Sequence, residues 1–357
     1  MKPACRAGWL IGVLLSGCMS RIALDEAVMA YDEAATDSLS RQLLLNIARA
    51  RQHLPMHFTG IANVAATFNF QLNVGATPAL TGNLGGLIAP VFGGSMAENP
   101  TISIVPIEGE AFTRRFLTPL SADRIILLLR QGYDVDMLLR LVAGELRLEE
   151  NGTETTYHNQ PTVRTGYRQF RRAVLHLSTI QDRNALHVEP PGLQESGDSV
   201  FPDILTNYDP ARLTAAEREA LNEWGKTGSP DEIRIDIRPG HTGGEYPMRG
   251  RLRLRSFHSL LNFIGSDKGA GQEYSVDRDP RSPDVSENPV HTLDVVEGAD
   301  KDCRHELSVT LNSHRYCLAE SSPSFWNREA FRVIYQLFQM TVANLPRNDG
   351  PDITIAK

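Results

Sequence analysis

An α+β fold is the reading that three features of this chain share. Apolar residues recur at helical spacing near both ends and through the middle, strict alternation marks several shorter stretches, and those stretches fall in hairpin-like pairs instead of alternating one by one with helices. The chain has 357 residues, of which 41% are hydrophobic and 22% charged, enough apolar surface for a buried core in about two compact units. A formal charge of −7, from 36 basic and 43 acidic residues, argues against a partner built on a nucleic-acid backbone. The sequence holds no run of 18 or more apolar residues, so no bilayer-spanning helix is expected.

The first element is a leader. Lys2 and Arg6 supply a positive start and Ala7 to Leu15 a short apolar run, which together predict a secretion signal over residues 1–17. The next residues, Leu15-Ser16-Gly17-Cys18, resemble the lipobox of bacterial lipoprotein precursors. That resemblance covers only the leader and its cysteine. It implies that Cys18 is acylated and becomes the new N-terminus, that Cys5 is discarded, and that membrane lipid is a partner through the acyl chains. At about 0.8 kcal/mol per buried methylene, two or three chains hold a protein stably on a bilayer. Met19 and Ser20 stand where inner-membrane lipoproteins usually carry aspartate, which implies the cell outer membrane, with the body facing the periplasm.

From Arg21 to about Arg51 the periodicity predicts an N-terminal helix, with a break at Thr36 and Asp37, so that residues 18–57 form the anchor and its helix. A hairpin is expected over 58–107. In Thr67 to Val74 every second residue is apolar, which puts Phe68, Phe70, Leu72 and Val74 on one strand face, and Ile102 and Ile104 alternate in the same way in a short second strand, Thr101 to Val105. Between them, Gly75 to Gly94 carries six glycines and two prolines and is expected to be a Gly-rich loop. The 39 residues from Phe58 to Met96 contain no Lys, Arg, Asp or Glu. Two readings fit: a half-buried periplasmic hairpin, or a membrane-inserting hairpin whose edges are paired by identical subunits.

The segment 108–191 is expected to be mainly helical, with helices over Glu108 to Leu117, Ser121 to Arg130, Asp134 to Leu148 and Thr162 to Asp182, then a strand over Ala185 to Glu189. Arg168, Arg171 and Arg172 are placed on the polar side of the last helix, as a solvated face or a contact for anionic headgroups or glycan. Residues 192–231 read as a polar loop with one helix, Thr214 to Trp224, opened by a capping box. The lobe 232–357 is expected to hold antiparallel strands Glu232 to Arg238 and Arg249 to Arg255, a helix from Ser256 to Ile264, and a mobile polar loop from Ser266 to Asp294. A hairpin turning at Asn312-Ser313 and a closing helix over Ser324 to Ala343 complete it. This repeated order suggests a duplicated unit.

Sites for chemistry are few. Cys303 and Cys317 are the thiols left after processing, and in an oxidising compartment they predict a disulfide. His305 and His314 beside them leave a metal site as the competing reading. Gly225-Lys226-Thr227 lacks the earlier glycine of a phosphate loop, since Ala220 stands there, and His187-Val188-Glu189 lacks the cysteines of a zinc deaminase. Asp134 and Asp136 sit where helix starts favour negative charge. No catalytic residue and no cofactor is therefore expected. The functional expectation is a non-enzymatic lipoprotein acting in structure or assembly, by self-association or with envelope proteins, in its strongest form an oligomeric pore or export-channel subunit. The alternative is a periplasmic ligand-binding or hydrolytic lipoprotein.

Overall fold

The computed structural model describes residues 4–77, 89–150, 152–189, 204–298, 307–319 and 325–342. The fold is α+β, and it divides into two compact units, one of Met1–Met56 with Glu108–Val342 and a second that holds His57–Ile107. Helix α1 (Ala4–Arg51) runs 48 residues without the break expected at Thr36 and Asp37. Those two residues serve the helix instead: Ser40 donates to the Thr36 carbonyl at 2.9 Å and Arg41 pairs with Asp37 at 2.7 Å, both one turn on. Residues Val28 to Asp37 are mostly exposed, whereas Leu43, Leu44 and Ile47 are fully buried. From Val28 on, the helix therefore enters the core in its last turns. It crosses a later helix, α7 (Phe257–Gly265), where a side chain on Gly265 would meet the Ala50 Cβ at 2.6 Å.

The core of the first unit is a six-stranded sheet. Its strands are β3 (Ala143–Glu150), β4 (Thr153–His158), β5 (His187–Glu189), β6 (Ile204–Thr206), β7 (Glu232–Ile237) and β8 (Met248–Leu254), in the order β4-β3-β8-β7-β6-β5, antiparallel except for the β6/β7 pair. Helices α2 (Glu110–Leu117), α3 (Ala122–Arg130), α4 (Val135–Val142), α5 (Arg164–Gln181), α6 (Ala215–Lys226) and α8 (Trp326–Thr341) supply the remaining layers with α1 and α7. The capping box of α6 forms as expected, Thr214 and Glu217 satisfying each other's backbone N–H groups.

Segment 108–191 is less helical than its pattern suggests. The helix expected over Asp134 to Leu148 ends at Val142, and β3 begins at once, because donors from elsewhere take the terminal carbonyls: the Asn159 amide donates to Arg140 and Ala143 at 2.9 and 2.8 Å, and Arg255 to Ala143 at 2.8 Å. Beyond this point Leu146 and Leu148 alternate inward, and β3 pairs with both β4 and β8. Strands β4 and β6 lie in stretches that have no apolar alternation of their own. Residues 192–203 of the expected polar loop lie outside the described residues, and the rest holds β6 as well as the helix.

The loop from Ser266 to Asp294 is tied down rather than loose. Arg140, fully buried on α4, reaches into it through Nε to Thr292 Oγ1 (2.9 Å), Nη1 to the Pro289 carbonyl (2.8 Å), and Nη2 to the Val290 carbonyl (2.6 Å) and Glu273 (3.2 Å). Arg171 also departs from its expected solvated position: it is buried, ion-paired with Asp136 and bonded to Asn288 at 3.0 Å. A separate three-stranded sheet, β10-β11-β9, is made from β9 (Val295–Gly298), β10 (Ser308–Leu311) and β11 (His314–Leu318), with Asn312 and Ser313 at positive φ in the turn as expected. The two C-terminal hairpins thus enter different sheets at different positions, so the repeated order does not extend to a repeated topology.

Candidate membrane and assembly hairpin

Residues 58–107 form one long antiparallel hairpin of β1 (Phe58–Thr77) and β2 (Ala89–Ile107), 20 and 19 residues, with residues 78–88 outside the described set. The second arm is far longer than the expected Thr101 to Val105, and much of the expected loop belongs to the ladder: Gly75, Pro90, Gly93 and Gly94 are all paired positions. Neutral, small residues permit this, since nothing in Ala89 to Met96 opposes extended backbone except Pro90, whose missing N–H is harmless on a free edge.

The register sorts the two arms by face. Directly opposed residues share a face, and from Phe68 to the tip one face takes Phe68 with Glu98, Phe70 with Met96, Leu72 with Gly94, Val74 with Phe92, and Ala76 with Pro90. The other takes Thr67 with Asn99, Asn69 with Ala97, Gln71 with Ser95, Asn73 with Gly93, Gly75 with Val91, and Thr77 with Ala89. One register shift, at Ala62, keeps Ile104 on the first face by pairing it with Ile61, while Val64 pairs with Ile102. Phe68, Phe70, Leu72 and Val74, expected on one strand face, therefore share a register parity, and Ile102 and Ile104 of the second arm fall on the same one. At the base Ile104 is 67% exposed, whereas Phe58 and Ile107, opposed on the other face, are buried.

The remaining candidates lie on α1, on β11 or outside the described residues. Cys18 lies within α1, Cys303 and His305 lie outside the described residues, and Cys317 is buried in β11. His314, three residues before Cys317 on the same strand, falls on its opposite face and pairs with Glu297 at 3.2 Å, so β11 does not bring the two together.

Two clusters carry no sequence signal because their members are scattered along the chain. Asp267, Glu273 and His291 converge within metal-ligand reach of one another, but every carboxylate oxygen already has a protein donor. Glu273 accepts from Tyr167 (2.7 Å), from the hydroxyl and backbone N–H of Thr292 (2.8 and 2.6 Å) and from Arg140, while Asp267 accepts from the Glu273 N–H and His291, both at 2.7 Å. Burial would raise the Glu273 carboxyl, yet Arg140 and the three hydrogen bonds outweigh it and hold it below the ordinary value. With the Arg140 guanidinium as the cation beside Glu273, this is an internal ion-pair network.

In the second cluster, His176 Nδ1 meets Ser282 Oγ at 2.8 Å and Nε2 meets the Gly243 carbonyl at 2.9 Å, the contacts of a nucleophile and base. Burial lowers the imidazole pKa, His176 is fully buried, and Ser282 is 3% exposed. Substrate has no approach to either, so the pair pins the loop to α5.

No family model, curated protein sequence or solved structure matches this chain.

Proposed function

We propose that this protein is a non-enzymatic lipoprotein of the bacterial outer membrane, and that copies of it join their 58–107 hairpins in a closed β-barrel, as subunits of an oligomeric pore or export channel. The carrying observation is the register of β1 against β2, which puts Phe70, Leu72 and Val74 on one face with Met96 and Phe92 in the uncharged outer part of the hairpin, and leaves Val91 as the one large apolar residue on the other. Nine rungs, Asn69↔Ala97 to Thr77↔Ala89, hold no charged residue on either arm. A tilted barrel strand needs 9 to 11 residues to cross the apolar layer. At about 3.3 Å per residue and a tilt of about 40°, nine rungs rise ~23 Å, against a lipid-facing band of about 25 Å. Glu98, the first charge on the return arm, stands one rung below, where headgroups begin. The apolar face then meets lipid, and Asn69, Gln71, Asn73, Thr77 and Ser95 line water.

Closure by several copies follows from the edges. Among the described residues each arm pairs only with the other, and unpaired backbone is not tolerated in hydrocarbon. The prolines of β2 say where pairing with a neighbour is open. Pro90, Pro100 and Pro106 share one parity, and within a regular ladder they belong where the missing N–H faces away from β1. Outward donors therefore run without interruption through Phe92, Gly94, Met96 and Glu98, beside the uncharged rungs. Acylated Cys18 holds the chain at the membrane, and the 25 residues of α1 from there to Leu43 make a stand-off of about 38 Å. The Cys303–Cys317 disulfide belongs to the same reading, since that compartment is oxidising.

Phe70→Asp is the direct test. It puts a charge on the lipid face, and should abolish membrane insertion and large assemblies, measured by light scattering of detergent-extracted protein, while circular dichroism of the α+β body stays native. Assemblies of unchanged mass would overturn the proposal.

A further inference from the structure

Three arginines of α5, Arg164, Arg168 and Arg172, recur every fourth residue on one face of the helix and line a cavity of about 340 Å³. The opposite wall is Tyr274 to Asp277, from the tied-down loop. All of these residues belong to the first unit. Arg164 and Arg168 are exposed and Arg172 is half-buried, and among the described residues none of the three guanidiniums has an ion-pair partner within 4.0 Å. The Nε of Arg172 is buried without a hydrogen-bond partner, and the terminal nitrogens of the three arginines are the groups left to meet an acceptor in the cavity. Arg164 is held over the Tyr274 ring at 4.9 Å, and the Tyr274 hydroxyl donates to the Arg164 carbonyl at 2.8 Å, so this side of the cavity is braced. Against three positive charges the lining sets one carboxylate, Asp277.

We infer that this cavity binds the phosphate of a phosphorylated polyol, the three arginines taking the phosphate oxygens and Asp277 accepting from a hydroxyl of the ligand. Planar guanidiniums match phosphate oxygens in pairs, and three around one pocket exceed what a carboxylate needs. The volume accommodates a phosphate with a small polyol, and Asp277 offers an acceptor for a polyol hydroxyl, whereas it would repel a second phosphate oxygen. The ligand is either a free phosphate ester or the headgroup of an anionic phospholipid, and the inference stands apart from the channel reading, because it uses none of the hairpin.

The test is calorimetric titration of the full chain with glycerol 1-phosphate and with inorganic phosphate, together with co-sedimentation on vesicles of phosphatidylglycerol or of phosphatidylcholine alone, for the wild type and for Arg164→Gln, Arg168→Gln, Arg172→Gln and Asp277→Asn. Each arginine change should weaken glycerol 1-phosphate roughly tenfold without altering the melting temperature. Asp277→Asn should remove the preference over inorganic phosphate. Vesicle binding that the free ester competes away, and that the arginine variants lose, identifies the headgroup as the source. Binding of the free ester without phosphatidylglycerol vesicles identifies the soluble one. If neither ligand binds the wild type, or the arginine variants bind as the wild type does, the inference is wrong. The triple variant, checked for native circular dichroism, separates loss of site from loss of fold.

Discussion

At the scale of single residues, the interior is held by charges that the surrounding sequence does not announce. Arg140 carries no exposed surface, and burial works against its charge, but Glu273 and Asp136 restore it and keep its pKa above the ordinary arginine value. Arg140→Met removes the cation and leaves Glu273 and Asp136 short of a partner in a dry site. The expected loss is about 3 to 5 kcal/mol in denaturant unfolding, with earlier proteolysis of the 266–294 loop. Asp134, the N-cap of α4, behaves in the opposite sense. Burial, then Asp136, raises its pKa from 3.8 to about 6, even though the Met137 N–H donates to it. A carboxyl raised on folding contributes stability while protonated, present in full below 3.8 and lost as pH rises through about 6. Asp134→Asn keeps the cap and cannot ionise. Relative to the wild type it should gain up to about 2 kcal/mol between pH 4 and pH 7.5, allowing for partial exposure. Urea unfolding at the two pH values checks this, and a gain equal at both would mean that ionisation of a buried Asp134 is not what costs stability.

At the scale of elements, the hairpin offers a test in which adjacent residues behave oppositely. Gly94 shares parity with Pro90 and Pro100, so Gly94→Pro removes an outward donor and leaves the β1/β2 ladder intact. Ser95 faces the ladder, and Ser95→Pro breaks it. Gly94→Pro should therefore yield a folded hairpin that fails to assemble, and Ser95→Pro a hairpin with lost protection in hydrogen exchange at the adjoining rungs. Equal effects would mean that β2 does not use its outer edge. Helix α4 is likewise governed by where its donors come from. Its apolar pattern would carry it into Leu146, and donors from Asn159 and Arg255 stop it at Val142. A helix end set by distant donors leaves no local signature.

At the scale of the whole molecule there are two units, an α+β body with its helix and, among the described residues, a two-stranded hairpin. Anchoring is testable apart from assembly. Cys18→Ala should leave the precursor unacylated and shift the protein from the sedimenting membrane fraction in cells also carrying Phe70→Asp, so that neither acyl chain nor hairpin holds it. Retention of that double variant on membranes would point to a further lipid contact, for which the arginine cavity is the first candidate.

The features that the amino-acid sequence determined by itself are those whose cause lies within a few residues. The alternation of Phe68, Phe70, Leu72 and Val74, the Thr214 to Glu217 capping box, the Asn312-Ser313 turn and the absence of charge from Phe58 to Met96 are all of this kind. Tertiary structure alone decided the length of β2, the strands β4 and β6, the end of α4, the burial of Arg171 and the meeting of Arg164, Arg168 and Arg172 with Tyr274. Each depends on a partner outside the segment itself, as Ala143 depends on Asn159 and Arg164 on Tyr274. Periodicity reports what a segment prefers when it is alone, and a backbone donor or counter-charge brought from elsewhere in the chain outweighs that preference by supplying a bond that the segment cannot make for itself.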